Sequence, residues 1–365
     1  MLEEGRINGR QVFFIMFWVI MATAILFLHM ITSRYAPRDS WMDAVLFITN
    51  GGFIAWIAAK LGAMFPKQTI VEYTDLILGP WLGKVVSAIL ILWVFQTGSM
   101  VYREVASFFV VAMLPDAPLT FIMLLISLAP AYAVYHGLEV IGRSSDFLFF
   151  IALGLLILIH LLLIPEYDFT KLLPVFGDGI GNILRGSLAV TAYAGEIILV
   201  LFFFPYIKDN QKAGKIMLST IVAIGIGGIL TELAYTAIFG LEFPFLNLPF
   251  YHMSRYATIG RFVERLDPFF MIANFLGNYL KLSIFTYVIV LGLAQLLKMK
   301  NYRKLIIPVI LALNIVGLYS FRSMMEVIDF TDKIWPFYTL PIQIGIPLLL
   351  ISVAKFRGLG CKVKK

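Results

Sequence analysis

The sequence predicts an all-α integral membrane protein of ten transmembrane helices, arranged as a five-plus-five inverted repeat with discontinuous first and sixth helices. Three observations lead there. The 365 residues are 60% hydrophobic and only 14% charged, where ordinary soluble domains are nearer 25%. The apolar residues fall into ten runs, each bounded by polar or Pro/Gly punctuation, and at about 1.5 Å per residue such runs cross roughly 30 Å of hydrocarbon. One run, GSLAVTAYAGEIILVLFFFPY at 186–206, carries Tyr193, Ala194, Gly195 and Glu196 at its middle. An ionisable group at bilayer centre costs at least about 2.5 kcal/mol and normally faces a protein-lined cavity. Gly195 weakens the helix at the same point, by roughly 1 kcal/mol relative to Ala. Together they predict a helix broken at mid-membrane, where freed backbone groups hold a polar ligand. The competing reading is a continuous helix with a packing glycine and a structural Glu bonded to a neighbouring helix.

Composition narrows the function classes. The single cysteine, Cys361, lies in the basic tail and excludes an intramolecular disulfide. The four histidines, His29, His136, His160 and His252, are far apart, and no pair has metal-ligand spacing. No phosphate loop or catalytic triad spacing occurs, so neither a cofactor nor an enzymatic activity is expected. The net charge of +7 does not point to nucleic acid, because the basic residues are scattered through short loops. Of the 29 Lys and Arg, 18 fall in segments on the N-terminal side of the membrane and 9 opposite, with Arg103 and Lys281 inside spans. The positive-inside rule then places both termini in the cytoplasm. The first apolar run is too long for a signal peptide and lacks a small-x-small cleavage site, so it reads as the first span.

The ten spans are placed at 11–33, 41–64, 85–113, 118–136, 145–164, 186–206, 214–240, 266–297, 304–320 and 334–354, all in one membrane domain covering 1–365. Span one has the mostly small run Met21, Ala22, Thr23 and Ala24 at its centre, which suits close helix packing or local unwinding. Span two, with Asn50, Gly51 and Gly52, reads as buried. The stretch 65–84 is too polar to span and predicts a short interfacial helix from about Thr69, ended by Gly79 and Pro80. In span three, Gln96, Met100 and Arg103 share a face. The adjacent Arg103 and Glu104 point apart, so each needs a partner elsewhere, and for Arg103 an ion pair or snorkelling is expected ahead of a ligand contact. Glu139 and Arg143, four residues apart between spans four and five, form a solvated pair.

The segment 165–185 predicts a surface helix carrying Ile180, Ile183 and Leu184. Span seven has Gly225, Gly227, Gly228 and, near its outer end, Glu232. Residues 241–265 form an external lid. Span eight, about 48 Å long for its 32 residues, projects or tilts. It places Ser283 and Tyr287 on one face, with Asn278 and Lys281 nearer the outside. Residues 321–336 form a short amphipathic helix. The terminal lysines hold the tail at anionic lipid.

Spans one and six, the two with weakened centres, are separated by four others. The chain therefore divides into a first repeat at 11–164 and a second at 186–354, in opposite orientation because each holds an odd number of spans. The run PKQTIVEYTDLILGPWLGK, then VYREVASFF, GLEVIGRSSD, LLPVFGDGIGNILRGS and AYAGE together resemble the spore germination permeases. Those are the B subunits of nutrient germinant receptors, a branch of the amino acid/polyamine/organocation (APC) transporter superfamily. The resemblance covers essentially the whole chain in order. It implies an APC/LeuT-like fold, the inner membrane of the spore, a role in nutrient sensing, and an A-type membrane subunit and a C-type lipoprotein as partners. It also implies a ligand between the centres of spans one and six, walled by three and eight. Those positions are Ala22, Thr23 and Ala24; Gln96, Thr97 and Met100; Tyr193, Ala194, Gly195 and Glu196; and Ser283 and Tyr287.

The chemistry at these positions favours a small amino acid. A half-helix N-terminus offers free N–H groups and about half a positive charge to a carboxylate. Unwound carbonyls with Glu196 receive an ammonium, and Gly195 leaves room for a side chain. Span one has alanines where related transporters are often Gly-rich, and span five lacks the lysine of several proton-coupled relatives. A sensor without a coupling ion is therefore expected. A transporter acting alone, and a receptor scaffold or water/ion pathway with a relic pocket, are the alternatives.

Overall fold

The computed structural model describes residues 2–256 and 266–360. Part of the external lid, at 257–265, and the tail from Cys361 to Lys365 lie outside the described residues. Among the described residues ten helices are long and apolar enough to cross a membrane: Gly9–Tyr35, Trp41–Met64, Pro80–Ala112, Leu119–His136, Leu138–Glu166, Ile180–Tyr206, Asn210–Phe245, Asp267–Leu296, Tyr302–Ser320 and Trp335–Phe356. These are spans one to ten in order. Spans one and six form the axis of the bundle, each with 94% of its apolar window buried, whereas span five has only 28% buried. A helix that is apolar all round and shielded all round is one enclosed by other helices.

Both axial helices change type at the membrane centre. Span one runs as an α-helix over Gly9–Thr23, as a π-helix over Ala24–Leu28, and as α-helix again over His29–Tyr35. Span six is α-helical over Ile180–Ala194 and tightens to a 3-10 helix over Gly195–Leu199 before Val200–Phe203. The discontinuity is thus a change of hydrogen-bond register and not an extended gap, a form that π turns inside helices commonly take at functional sites.

Local sequence accounts for the shorter elements. The interfacial helix Ile70–Leu78 opens on a capping box of Thr69 and Glu72, and Gly79, at φ 88°, turns the chain so that Pro80 begins span three. Two expectations need correction. The turn expected at 136–146 is confined to Gly137, and span five begins at Leu138, so Glu139 and Arg143 pair at 2.6 Å on its exposed first turns. The surface helix expected before span six does not form separately, because Ile180, Ile183 and Leu184 are the first turns of span six itself. Ile183 is buried beside Ala36 and Met42, an apolar contact that extends the helix outward.

Three contacts fix the bundle around its axis. Spans two and seven approach so closely that a Cβ on Gly225 would lie 2.1 Å from Ile48 Cγ1, so only glycine fits. Glu232 of span seven accepts at 2.7 Å from His29 Nδ1, 2.9 Å from Thr32 Oγ1 and 2.7 Å from Ser40 Oγ, tying span seven to span one and the start of span two. On the side of the N-terminus, the Ile7 N–H donates to the Tyr206 carbonyl and the Lys208 N–H to that of Ile7. There the buried Glu3 carboxylate accepts from Leu138 N at 3.2 Å and Tyr302 Oη at 3.0 Å. The amphipathic helix expected at 321–336 forms over Met324–Lys333.

Candidate functional site

The two changes of helix type lie side by side, and each leaves a carbonyl that an amide from another span captures. Asn274 of span eight donates to the Ala22 carbonyl at 3.1 Å, and Gln343, in a π-helical turn of span ten, donates to the Ala192 carbonyl at 2.8 Å. A backbone group left unpaired in a dry interior costs as much as a lost hydrogen bond, so these amides stabilise the two distortions.

Between the distortions sits an ion pair. Lys281 lies halfway along span eight, and its Nζ is 2.8 Å and 3.1 Å from the two Glu196 oxygens and 2.9 Å from Thr23 Oγ1. Both side chains are essentially inaccessible, at 0% and 1% exposure. The three ammonium protons therefore face three oxygens. The rings of Tyr193 and Phe285 lie 5.7 Å and 5.5 Å from Nζ, within cation–π range. Glu104, also buried, interacts electrostatically with Lys281, Glu196 and Tyr193. Its Oε2 and the Tyr193 hydroxyl have no hydrogen-bond partner, although Thr23 lies beside Tyr193.

The structure brings together part of the set read from sequence. Thr23, Tyr193 and Glu196 meet at Lys281. Ala22, Ala24 and Ala194 frame that meeting point as buried backbone, with Ala22 held by Asn274. Thr97 stands one layer out, accepting from Trp335 Nε1 at 3.4 Å, and Trp335 packs edge-on against Tyr193 at 5.1 Å.

The structure places the remaining residues away from that point. Gln96 accepts from the Tyr338 hydroxyl, and Met100 Sδ lies 3.6 Å from Thr331 Oγ1. That face of span three looks toward span ten and the helix Met324–Lys333, away from the centre. Arg103 on the same face reaches the carbonyls of Leu318 and Arg322, both at 3.4 Å, and so caps the end of span nine instead of forming an ion pair. Ser283 returns its hydroxyl to the Tyr279 carbonyl at 2.6 Å, and Tyr287 packs on Tyr302 near Glu3, toward the N-terminal side. Span eight thus turns Lys281 to the centre, not Ser283 and Tyr287. Nor does Gly195 leave room for a guest's side chain: a Cβ there would lie 1.9 Å from Gln343 Oε1.

Sequence reasoning missed Lys281, Asn274, Gln343 and Trp335. Lys281 carried a usable signal, since a lysine in a membrane helix needs a carboxylate at its own depth, and Glu196 was already placed there.

The comparisons agree with this architecture. The chain is 27% identical to spore germination protein KB of Bacillus subtilis over 363 residues, covering 98% of this chain and 96% of that protein. It is 26% identical to spore germination protein YndE of the same organism, covering 98% and 99%. It is 24% identical to spore germination protein XB of Bacillus anthracis, covering 77% and 79%. Among solved structures it superposes on MhsT in complex with L-phenylalanine with a TM-score of 0.72 at 14% identity, covering 99% of this chain and 94% of that one. A Na+-coupled sialic acid symporter in a substrate-bound outward-open state gives 0.68 at 13% identity, covering 96% and 80%. Both are transporter folds, and at these identities they speak to fold alone. The profile of the spore permease family, described as spore germination proteins, matches residues 6–325. With ten membrane-crossing helices and that match over most of its length, the chain is a multi-pass membrane protein that belongs to the spore permease family of spore germination proteins.

Proposed function

We propose that this chain is the nutrient-sensing subunit of a germinant receptor, binding a small amino acid at the membrane midplane and passing the response to partner subunits to start germination. The observation that carries the reading is the dry Lys281–Glu196 pair set between the two distorted helices. An ammonium and a carboxylate in contact are the chemical mirror of a zwitterion, which exchanges with them by offering its own carboxylate to Lys281 and its own ammonium to Glu196. Each new contact replaces a charge-assisted bond with another, so the exchange avoids leaving a bare charge in a dry interior. This replaces the half-helix carbonyls and amides expected from sequence, because Asn274 and Gln343 already occupy the carbonyls at Ala22 and Ala192.

Exchange at the pair alters the contacts of spans one, six and eight together. A ligand with different affinity for two arrangements of these spans shifts their populations, and the shift reaches an A-type membrane subunit and a C-type lipoprotein across the bundle surface. Placing both termini in the cytoplasm and the chain in the spore's inner membrane fits the distribution of Lys and Arg and the family. The second reading, an amino acid transporter acting without partners, draws on the fold shared with MhsT, whose structure holds L-phenylalanine.

The test is a thermal-shift screen of amino acids on detergent-purified chain, repeated with Glu196→Gln. Expected is a hit that requires both the α-amino and α-carboxyl groups and is lost in the variant. Unchanged ligand response in a folded Glu196→Gln chain overturns the site. Uptake of labelled ligand into proteoliposomes by the chain alone selects the transporter reading.

A further inference from the structure

The binding centre carries more acceptor capacity than an amino acid backbone uses. Besides the Glu196 carboxylate paired with Lys281, a second buried carboxyl group, that of Glu104, interacts with the pair. Lys281 spends its three donors on Glu196 and Thr23, which leaves Glu104 Oε2 without a partner at 2% residue exposure. The Tyr193 hydroxyl, at 1% exposure, has only Thr23 beside it, whose hydroxyl already accepts from Lys281. Buried polar atoms in native proteins are nearly always paired, and each exception asks for an explanation. Here both orphans belong to one electrostatic group with the ion pair. Arg103, the next residue to Glu104, cannot serve it, because its guanidinium is turned to the carbonyls of Leu318 and Arg322.

We infer that the site selects an amino acid with a cationic side chain, and that Glu104 is the specificity-determining residue, receiving the side-chain ammonium while Tyr193 accepts a second bond from it. The inference rests on the exchange proposed above, in which the ligand's α-groups take Glu196 and Lys281. With those partners assigned, an aliphatic ligand leaves Glu104 Oε2 and the Tyr193 hydroxyl bare in the closed centre. A side-chain ammonium satisfies both. A site built to hydrogen-bond a group rejects the ligand lacking it far more strongly than an apolar pocket rejects an extra methylene. Nutrients without an ammonium group, such as sugars, offer hydroxyl donors but no countercharge to a carboxylate.

The experiment compares isosteric pairs on the purified full chain: L-2,4-diaminobutyrate against L-norvaline, and L-ornithine against L-norleucine, each differing by one ammonium in place of a methyl. Expected is about ten- to hundredfold tighter binding of the amino member in at least one pair, the worth of a hydrogen bond to a charged group. Glu104→Gln removes most of that preference, bringing the ratio of affinities within each pair to about threefold or less. Tyr193→Phe reduces it in part, with no change of charge. Equal binding of both members of each pair, or a Glu104→Gln variant that weakens both alike, overturns the selectivity and leaves the amino acid reading standing. A chain that binds none of the four compounds, nor any other amino acid, overturns that reading and the selectivity together.

Discussion

Replacing Lys281 by methionine gives the sharpest test of the central ion pair. The side chain keeps its length and loses its charge, leaving the Glu196 carboxylate uncompensated at 1% exposure and the Thr23 hydroxyl without its donor. Removing one partner of a buried pair costs about 3–5 kcal/mol, because the remaining ion keeps its desolvation penalty and loses its attraction. At about 2.1 cal/mol/K of unfolding entropy per residue, a chain of 365 residues changes by ~0.8 kcal/mol per kelvin, so Lys281→Met should lower the melting temperature by about 4–7 °C. Replacing both partners, Lys281→Met with Glu196→Met, removes the stranded Glu196 charge while Glu104 still loses its neighbour Lys281, and so should recover part of the loss, since apolar substitutes for a buried pair are often neutral or stabilising. Fluorimetric melting of the detergent-purified proteins measures both. A single variant that melts within about one degree of the parent, or a double variant that melts no higher than the single, would refute the dry-pair argument.

Three further perturbations probe the surroundings. Gly195→Ala places a methyl 1.9 Å from Gln343 Oε1 and displaces the amide from the Ala192 carbonyl. Overpacking of this kind costs about 1–3 kcal/mol, and adding Gln343→Ala should cost less than the sum of the two single changes in the same melts. Glu3→Ala removes the acceptor for Leu138 N and Tyr302 Oη. Amide exchange near residues 2–8 and at the start of span five should then speed up, while exchange around Lys281 stays protected. Outside the spans, the Asp329 carboxyl is held below its ordinary value, first by its hydrogen bond from Arg34, which outweighs the opposing effect of burial, with Lys333 adding to it. A depressed carboxylate contributes stability above its unfolded-state pKa and loses it as pH falls through the folded-state value. Spin labels on the helix Met324–Lys333 should therefore show unchanged mobility from pH 7 down through the ordinary carboxylate range and loosen only below it. Loosening already near pH 6 would contradict the tether.

Much of the architecture was legible before any coordinates, because in a membrane the burial pattern of each segment is imposed by length and hydropathy. The interfacial helix announced itself through Thr69 and Glu72, and Gly79–Pro80 marked its end. The site was legible only along the axis of each helix. Tyr193 and Glu196 stood out because they sit at mid-membrane in an apolar run, and depth can be counted from the ends of a span. Rotation about the helix axis could not be counted in the same way. Span three carries polar residues on more than one face, Gln96 and Arg103 on one and Thr97 and Glu104 on another, so nothing local told that Gln96 and Met100 look toward Tyr338 and Thr331. Spacing grouped Ser283 with Tyr287 correctly, yet that face belongs to the layer near Tyr279, Tyr302 and Glu3.

The sequence by itself determined that this chain crosses a bilayer ten times, that spans one and six are weakest where they are deepest, and that a carboxylate at that depth needs a counterpart. Hydrocarbon enforces those conclusions residue by residue, since every polar group within it must be answered inside the protein. Only the tertiary structure decided which group answers. Lys281 reaches Glu196 across 85 residues of sequence, and Asn274 reaches Ala22 across 252. Contacts at such separations depend on how each helix is rotated against its neighbours, which is fixed by packing of the assembled bundle and written in no single segment.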